Sequence, residues 1–166
     1  MAELLTEARE NFPMYFPFLL IGATVLLFLL VWLSPKNRVK RKIRRLKRKS
    51  RTLTPEEFFA VRGKIISDKK ASAKYNFRGV YVIYNRTREM YYVGQAVKIL
   101  DRVNNHFTGH GNGDVYADYK YGNKFEINLI PLKGSGCKTL NELERKAIET
   151  YNAYDKGYNK TRGNHG

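Results

Sequence analysis

The chain has a single cysteine, Cys137, so it can form neither an internal disulfide nor a cysteine-based zinc site, which fits a reducing compartment. No internal repeat is present, which removes repeat architectures, and the only biased tract is one short basic run. Acids are scarce, at 15 against 31 lysines and arginines, for a formal charge of +16. The excess is unevenly placed. Residues 36–51 hold eleven bases and no acid, whereas residues 77–166 are only moderately basic. Charge is missing altogether from Met14 to Leu33, a run that is almost wholly apolar. With 166 residues there is room for one compact domain and an appendage.

The uncharged run has the length of a membrane span, because twenty residues at about 1.5 Å each cover a hydrocarbon core of roughly 30 Å. Tyr15 and Trp32 stand near its ends, at headgroup level. A cleaved signal peptide would carry a basic leader and a small-residue cleavage site. Here Glu3, Glu7 and Glu10 outnumber Arg9, and no such site follows Leu33. The expectation is a retained, single-pass anchor in the cell (inner) membrane. The basic run beginning at Lys36 places its own flank in the cytoplasm and the N-terminus outside. The same run attracts anionic lipids. The chain then divides into a short N-terminal segment 1–13, a transmembrane helix 14–33, a basic juxtamembrane linker 34–53, a helix and linker 54–76, and a domain 77–166.

Thr54, Pro55 and Glu57 form a capping-box pattern that opens a helix carrying Phe58, Phe59, Val61, Ile65 and Ile66, fit to dock on the domain or on the membrane. The polar, lysine-rich stretch Ser67–Asn76 reads as a linker. Gly79–Tyr84 and Met90–Gly94, rich in Val, Ile and Tyr, predict a β-hairpin. An amphipathic helix is expected over Lys98–Phe107, a short helix over Val115–Tyr121, a strand over Phe125–Leu132 and a last helix over Leu140–Tyr154. Gly109–Gly113 lacks the lysine and helix context of a phosphate loop and reads as a flexible loop. His110 and His165 have no partner at metal-ligand spacing.

Geometry singles out one acid. Advancing 100° per residue along the last helix puts Leu143, Ala147, Ile148 and Tyr151 on one side, with Glu144 inside the stripe. Glu142 and Glu149 fall opposite, and Glu142 is the capping-box partner of Thr139. A carboxylate on a core-facing stripe needs a metal ion or a basic partner, and helix geometry alone does not choose between them. Arg102 and His106 are four apart, hence on one face. Each taken alone reads as a snorkelling arginine or a satisfied polar residue. The hairpin brings Tyr81 and Tyr92 close together.

In chain order, Gly79-Val80-Tyr81, Tyr92-Val93-Gly94, Arg102 with His106, Tyr121-Gly122-Asn123, Glu144 and Gly157-Tyr158-Asn159 resemble the GIY-YIG nuclease family. The resemblance spans about residues 77–160, with Val80 and Val93 standing where the naming motifs have Ile. It implies an α+β fold with a small three-stranded antiparallel sheet flanked by helices, and cleavage of DNA phosphodiesters with one divalent metal ion. By the same resemblance Glu144 is the metal ligand, suited to Mg²⁺ (or Mn²⁺), which retains several waters and takes phosphate oxygens. Arg102 holds phosphate oxygens, Tyr81 is the general base toward water, and Tyr92 and His106 orient the water or pass its proton. Asn159 braces the site.

The expected function is therefore a membrane-anchored, metal-dependent DNA endonuclease at the cytoplasmic face, acting on incoming foreign (phage) DNA or on DNA during uptake. The alternative is a non-catalytic, membrane-tethered adaptor that binds DNA or lipid through residues 36–51. Action on RNA is a third possibility.

Overall fold

The computed structural model describes residues 2–164, with side chains from Pro17 onward. The chain falls into two units, residues 1–38 and 39–166. In the first, α1 (Ala2–Leu33) contains the predicted span, and its apolar side chains from Phe18 to Leu33 are exposed. The Tyr15 end of that span lies outside the described side chains, as does His165. Among the described residues no single helix is long and apolar enough to cross a membrane. Only the pair 17–33 and 35–49, broken by a bend, passes by length and composition.

The basic run, expected as a linker, is instead a helix, α2 (Pro35–Lys49), which begins in the first unit and continues into the second. Hidden among its charges are Val39, Ile43 and Leu46, at i, i+4 and i+7 on one face. Ile43 is fully buried against the domain, with Val39 and Leu46 packed beside it. The next helix, α3 (Pro55–Ser67), opens with the capping box, Glu57 N–H donating to Thr54 Oγ1 and Thr54 N–H to Glu57 Oε2. Of the two surfaces open to it, α3 meets the domain, through buried Phe58. The stretch after it is also more than a linker. It forms α4 (Lys69–Tyr75), which Asp68 caps at its N-terminus by accepting from Lys70 N–H. Asn76 ends that helix and supplies from a distance the cap the next one lacks, accepting from Leu100 N–H at 2.8 Å.

Strands β1 (Gly79–Asn85), β2 (Met90–Ala96) and β3 (Phe125–Pro131) form an antiparallel sheet in the order β2-β1-β3, so that β1 is central and the other two are edges. Side chains alternate across it with the strand period of two. Tyr81, Ile83, Tyr92, Phe125 and Ile127 face one core, under α3, α5 (Ile99–Phe107) and α6 (Gly113–Lys120). Val80, Val82, Val93 and Ile130 face the other, under α2 and α7 (Leu140–Tyr151). The last helix stops three residues earlier than expected, because Asn152 turns left-handed at φ 54°. Its capping box is half formed. Glu142 N–H donates to Thr139 Oγ1, but the Glu142 carboxylate reaches one residue further back, to Lys138 N–H.

Both edges are covered in part. Leu53 exchanges two backbone hydrogen bonds with Ile127 on β3. On β2 the segment 157–159 does the same work, Tyr158 N–H donating to Tyr91 O. A Cβ on Gly157 would stand 2.3 Å from Tyr91 O, so glycine is what permits this approach. An open edge is a template for pairing with another chain, and here neither is left wholly bare.

Candidate active site

Tyr81, in the middle of the central strand, is 1% exposed and points under α5. Its cross-strand partner is Gly94. A Cβ there would lie 2.1 Å from the Tyr81 hydroxyl, so Gly94 is the space into which the phenol extends. Tyr92, two residues earlier on the same face, brings its ring centroid to 6.1 Å from that of Tyr81.

One turn of α5 carries Arg102 and His106. His106 is fully buried, and its Nε2 lies 2.8 Å from Tyr81 Oη. The other ring nitrogen, Nδ1, accepts from Asn112 N–H at 2.8 Å. A neutral imidazole has one donor and one acceptor. Since Nδ1 is the acceptor, Nε2 carries the hydrogen and donates to the Tyr81 oxygen. The glycine-rich loop that the sequence suggests is flexible thus fixes a tautomer. It does so at contact distance, since a Cβ on Gly111 would stand 2.4 Å from His106 Nδ1. Asn112 carried no signal of this in the sequence, and the glycine beside it was the only trace.

Burial, assisted by the nearby Arg102 guanidinium, lowers the His106 pKa to about 4. An unfolded chain takes up this proton near pH 6.5, and the folded one only near 4. Stability is therefore expected to fall as pH drops from about 6.5 to 4, by on the order of 3 kcal/mol. Denaturant melts at pH 7 and 4.5 measure it, and His106→Gln should lose most of that difference. An unchanged difference would remove His106 as its source.

Burial also raises the Tyr81 phenol well above its ordinary range. The neighbouring Tyr92 adds to this, and Arg102, facing the same oxygen, opposes it. Tyr92 is raised in the same direction, again chiefly by burial. Both are phenols at neutral pH.

Glu144 approaches from α7, on the other side of the sheet, past the edge of β2. It is 8% exposed, and its Oε2 accepts from Gln95 Nε2 at 3.1 Å and from Asn164 N–H at 3.4 Å. Gln95 is itself held by Asn141 Oδ1 at 2.6 Å. No lysine or arginine joins Glu144 in the ion pairs of the described residues. Burial raises its pKa, partly offset by these N–H donors. Among the described residues no cluster of three His, Cys, Asp or Glu exists. A cation here would thus have one protein carboxylate, a donor set that fits a largely hydrated Mg²⁺ and not a closed zinc site.

Asn159 grips the edge strand with both ends of its amide, Oδ1 accepting from Val93 N–H at 2.8 Å and Nδ2 donating to Val93 O at 2.7 Å. Tyr92, Arg102, Glu144, Asn112 and Asn159 line one cleft along β2, with Tyr81 and His106 buried behind it. Four of the six residues singled out in the sequence therefore line this cleft, and Tyr81 and His106 lie buried behind Tyr92. Gln95 and Asn164, which hold the carboxylate, are additions from the structure.

A family model described as the GIY-YIG catalytic domain matches residues 77–159. No curated protein matches the chain. Among solved structures, the catalytic domain of the intron endonuclease I-TevI is similar, at 26% identity over 54% of this chain and 98% of that one, with a TM-score of 0.41. The chain belongs to the GIY-YIG family and is an endonuclease of that type.

Proposed function

We propose that the protein is a metal-dependent DNA endonuclease anchored in the membrane by residues 14–33, with its catalytic domain in the cytoplasm. The observation that supports the chemistry is the convergence, at the edge of β2, of an unpaired carboxylate, an exposed arginine and a buried tyrosine–histidine pair. Arg102, with its planar fork of donors, holds non-bridging oxygens of the scissile phosphate. Glu144 would hold Mg²⁺ or Mn²⁺, which would supply charge stabilisation at the phosphate and the leaving 3′ oxygen. Tyr81 takes the proton of the attacking water while handing its own to Tyr92, which releases one to solvent in the cleft. His106, with Nδ1 already occupied, accepts no proton. It donates to the Tyr81 oxygen and holds the phenol in place. Asn159 keeps β2, and with it Tyr92, in position.

Cleavage of supercoiled plasmid by the detergent-solubilised full chain tests this reading, with Mg²⁺ or Mn²⁺ present and then chelated. Nicked or linear product that appears only with the metal supports it. Binding without cleavage under every condition would favour the adaptor. Asn159→Ala is expected to slow cleavage on the order of 10²-fold, the effect of a displacement of about 1 Å near the reacting atoms, with duplex affinity nearly unchanged. An equal loss of affinity would count against a bracing role.

The membrane reading rests on the uncharged run and the basic flank that follows it. The second member of the bent helix pair is not part of a span. It carries a dense run of cations, each costing about 2.5–3.5 kcal/mol at a bilayer centre, and its apolar side is occupied by the protein core. Resistance of the full chain to carbonate extraction, with the catalytic domain protected from external protease, is the expected result. An anchored nuclease meets DNA at the membrane at high local concentration, which suits action on entering phage DNA or on DNA during uptake. Deletion of the gene with no change in phage entry or transformation would remove both roles.

A further inference from the structure

Residues 39–49 of α2 belong to the catalytic unit, and they are fastened there at several points. Ile43 is fully buried among Val80, Val82, Ile130, Leu143 and Ala147. Lys40 pairs with Glu149 on α7 at 2.8 Å. The Lys47 ammonium sits among three tyrosine rings, 5.9 Å from the centroid of Tyr84, 5.4 Å from Tyr91 and 5.6 Å from Tyr151. Tyr84 and Tyr91 are stacked at 4.3 Å, so the cation is held over a fixed aromatic floor. This part of the helix is a strut of the domain.

The cations left over point outward. Lys42, Arg44, Arg45, Arg48 and Lys49 are all exposed, and none appears in the ion pairs of the described residues. The sequence offers them no acid between Lys36 and Arg51. Lys42, Arg45 and Lys49 follow one another at three- and four-residue steps, a row about 10 Å long. Arg44 and Arg48 form a second row beside it, and these two line a hollow with Tyr91, Thr150, Tyr151 and Asn152. Tyr91 is the neighbour of Tyr92, and Thr150 lies on the same helix as Glu144, about 9 Å further along its axis. The hollow beside the ridge and the cleft thus share β2 and α7.

We propose that this outer face of α2 is a second DNA-binding surface, which grips the phosphate backbone of the duplex beyond the segment held in the cleft. The proposal rests on the nuclease reading and extends it to a surface outside the active site. Duplex DNA carries one negative charge per about 1.7 Å of axis, and a fixed row of unneutralised cations matches that density. A membrane surface is the competing polyanion. Helices that lie on a bilayer do so by sinking an apolar face into it, and the apolar face of α2 is buried in the domain. Lipid could engage only the charges.

The test uses the full chain in neutral detergent, as wild type and as the variant Arg44→Gln, Arg45→Gln, Arg48→Gln and Lys49→Gln combined. Binding to a duplex oligonucleotide is measured in a chelator across a salt series. Each lost phosphate contact removes about 0.9 from the slope of log affinity against log salt. A slope shallower by about 2 to 4, with affinity at least about 10-fold lower, is the expected result. An unchanged slope overturns the proposal. So does a variant that binds DNA normally but loses the wild type's preference for detergent micelles containing phosphatidylserine over micelles containing phosphatidylcholine alone, which assigns the ridge to lipid. Plasmid cleavage by the wild type, run alongside, separates the two readings. Loss of slope without any wild-type cleavage retires the nuclease and keeps the ridge, whereas cleavage with an unchanged slope does the reverse.

Discussion

Glu144→Gln is expected to lower cleavage on the order of 10³-fold or more while leaving duplex affinity almost intact. Glutamine preserves the shape of the side chain and can still accept from Gln95 and Asn164, so α7 and the cleft wall stay in place. What disappears is the one negative charge in the cleft with no basic partner, and with it the affinity for a divalent cation. Charge stabilisation by a metal at a phosphoryl centre is worth several kcal/mol, and about 1.4 kcal/mol corresponds to a factor of ten. Removing the carboxylate also relieves its unfavourable burial, since the fold raises its pKa. The variant is therefore expected to melt no lower than the wild type. Plasmid cleavage at millimolar Mg²⁺, oligonucleotide binding and a thermal melt together measure the effect. A variant that keeps a tenth of wild-type activity would take the metal away from this position.

Gly94→Ala is expected to damage both stability and activity through a single methyl group. The added carbon would lie 2.1 Å from the Tyr81 hydroxyl and 2.4 Å from its ring. Tyr81 cannot retreat, because its oxygen is held by His106 at 2.8 Å and the ring is closed in by the core of α5 and β1. Either the strand pair opens or the phenol leaves its place. Overpacking of this kind costs about 1–3 kcal/mol of stability, and a misplaced reacting group on the order of 10²-fold in rate. Tyr81→Phe with Gly94→Ala separates the two effects. With the hydroxyl gone the steric penalty should ease, and stability should recover part of the loss although activity does not. Full activity in Gly94→Ala would mean that Tyr81 takes no part in the reaction.

How much of this was legible in the sequence depended on the range over which each signal acts. The hairpin, α5 and α7 announce themselves through local periodicity, and the place of Glu144 on an apolar stripe needs nothing beyond the helical repeat. The capping boxes are local too, though at α7 the acid chose Lys138 over Thr139. The basic helix was hidden because three apolar residues among many cations look like noise until a bare sheet face is known to need covering. The helix at Lys69–Tyr75 has no apolar stripe and depends on its Asp68 cap. The partners of the site were the least visible. Gln95 reaches Glu144 across 49 positions, and Asn112 serves His106 with a backbone N–H, a group every residue but proline possesses. No residue type encodes that contact. The glycine beside it, which only glycine geometry explains, was its one trace.

The grip of Asn159 on Val93 also bears on how the molecule behaves in company. A chain shortened before Gly157 would leave the outward amide and carbonyl of an aromatic-rich border strand unsatisfied, ready to recruit an identical border from a second molecule. Loss of residues 157–166 would then favour self-association over the state of the full chain, so that solubility and site geometry depend on the same amide.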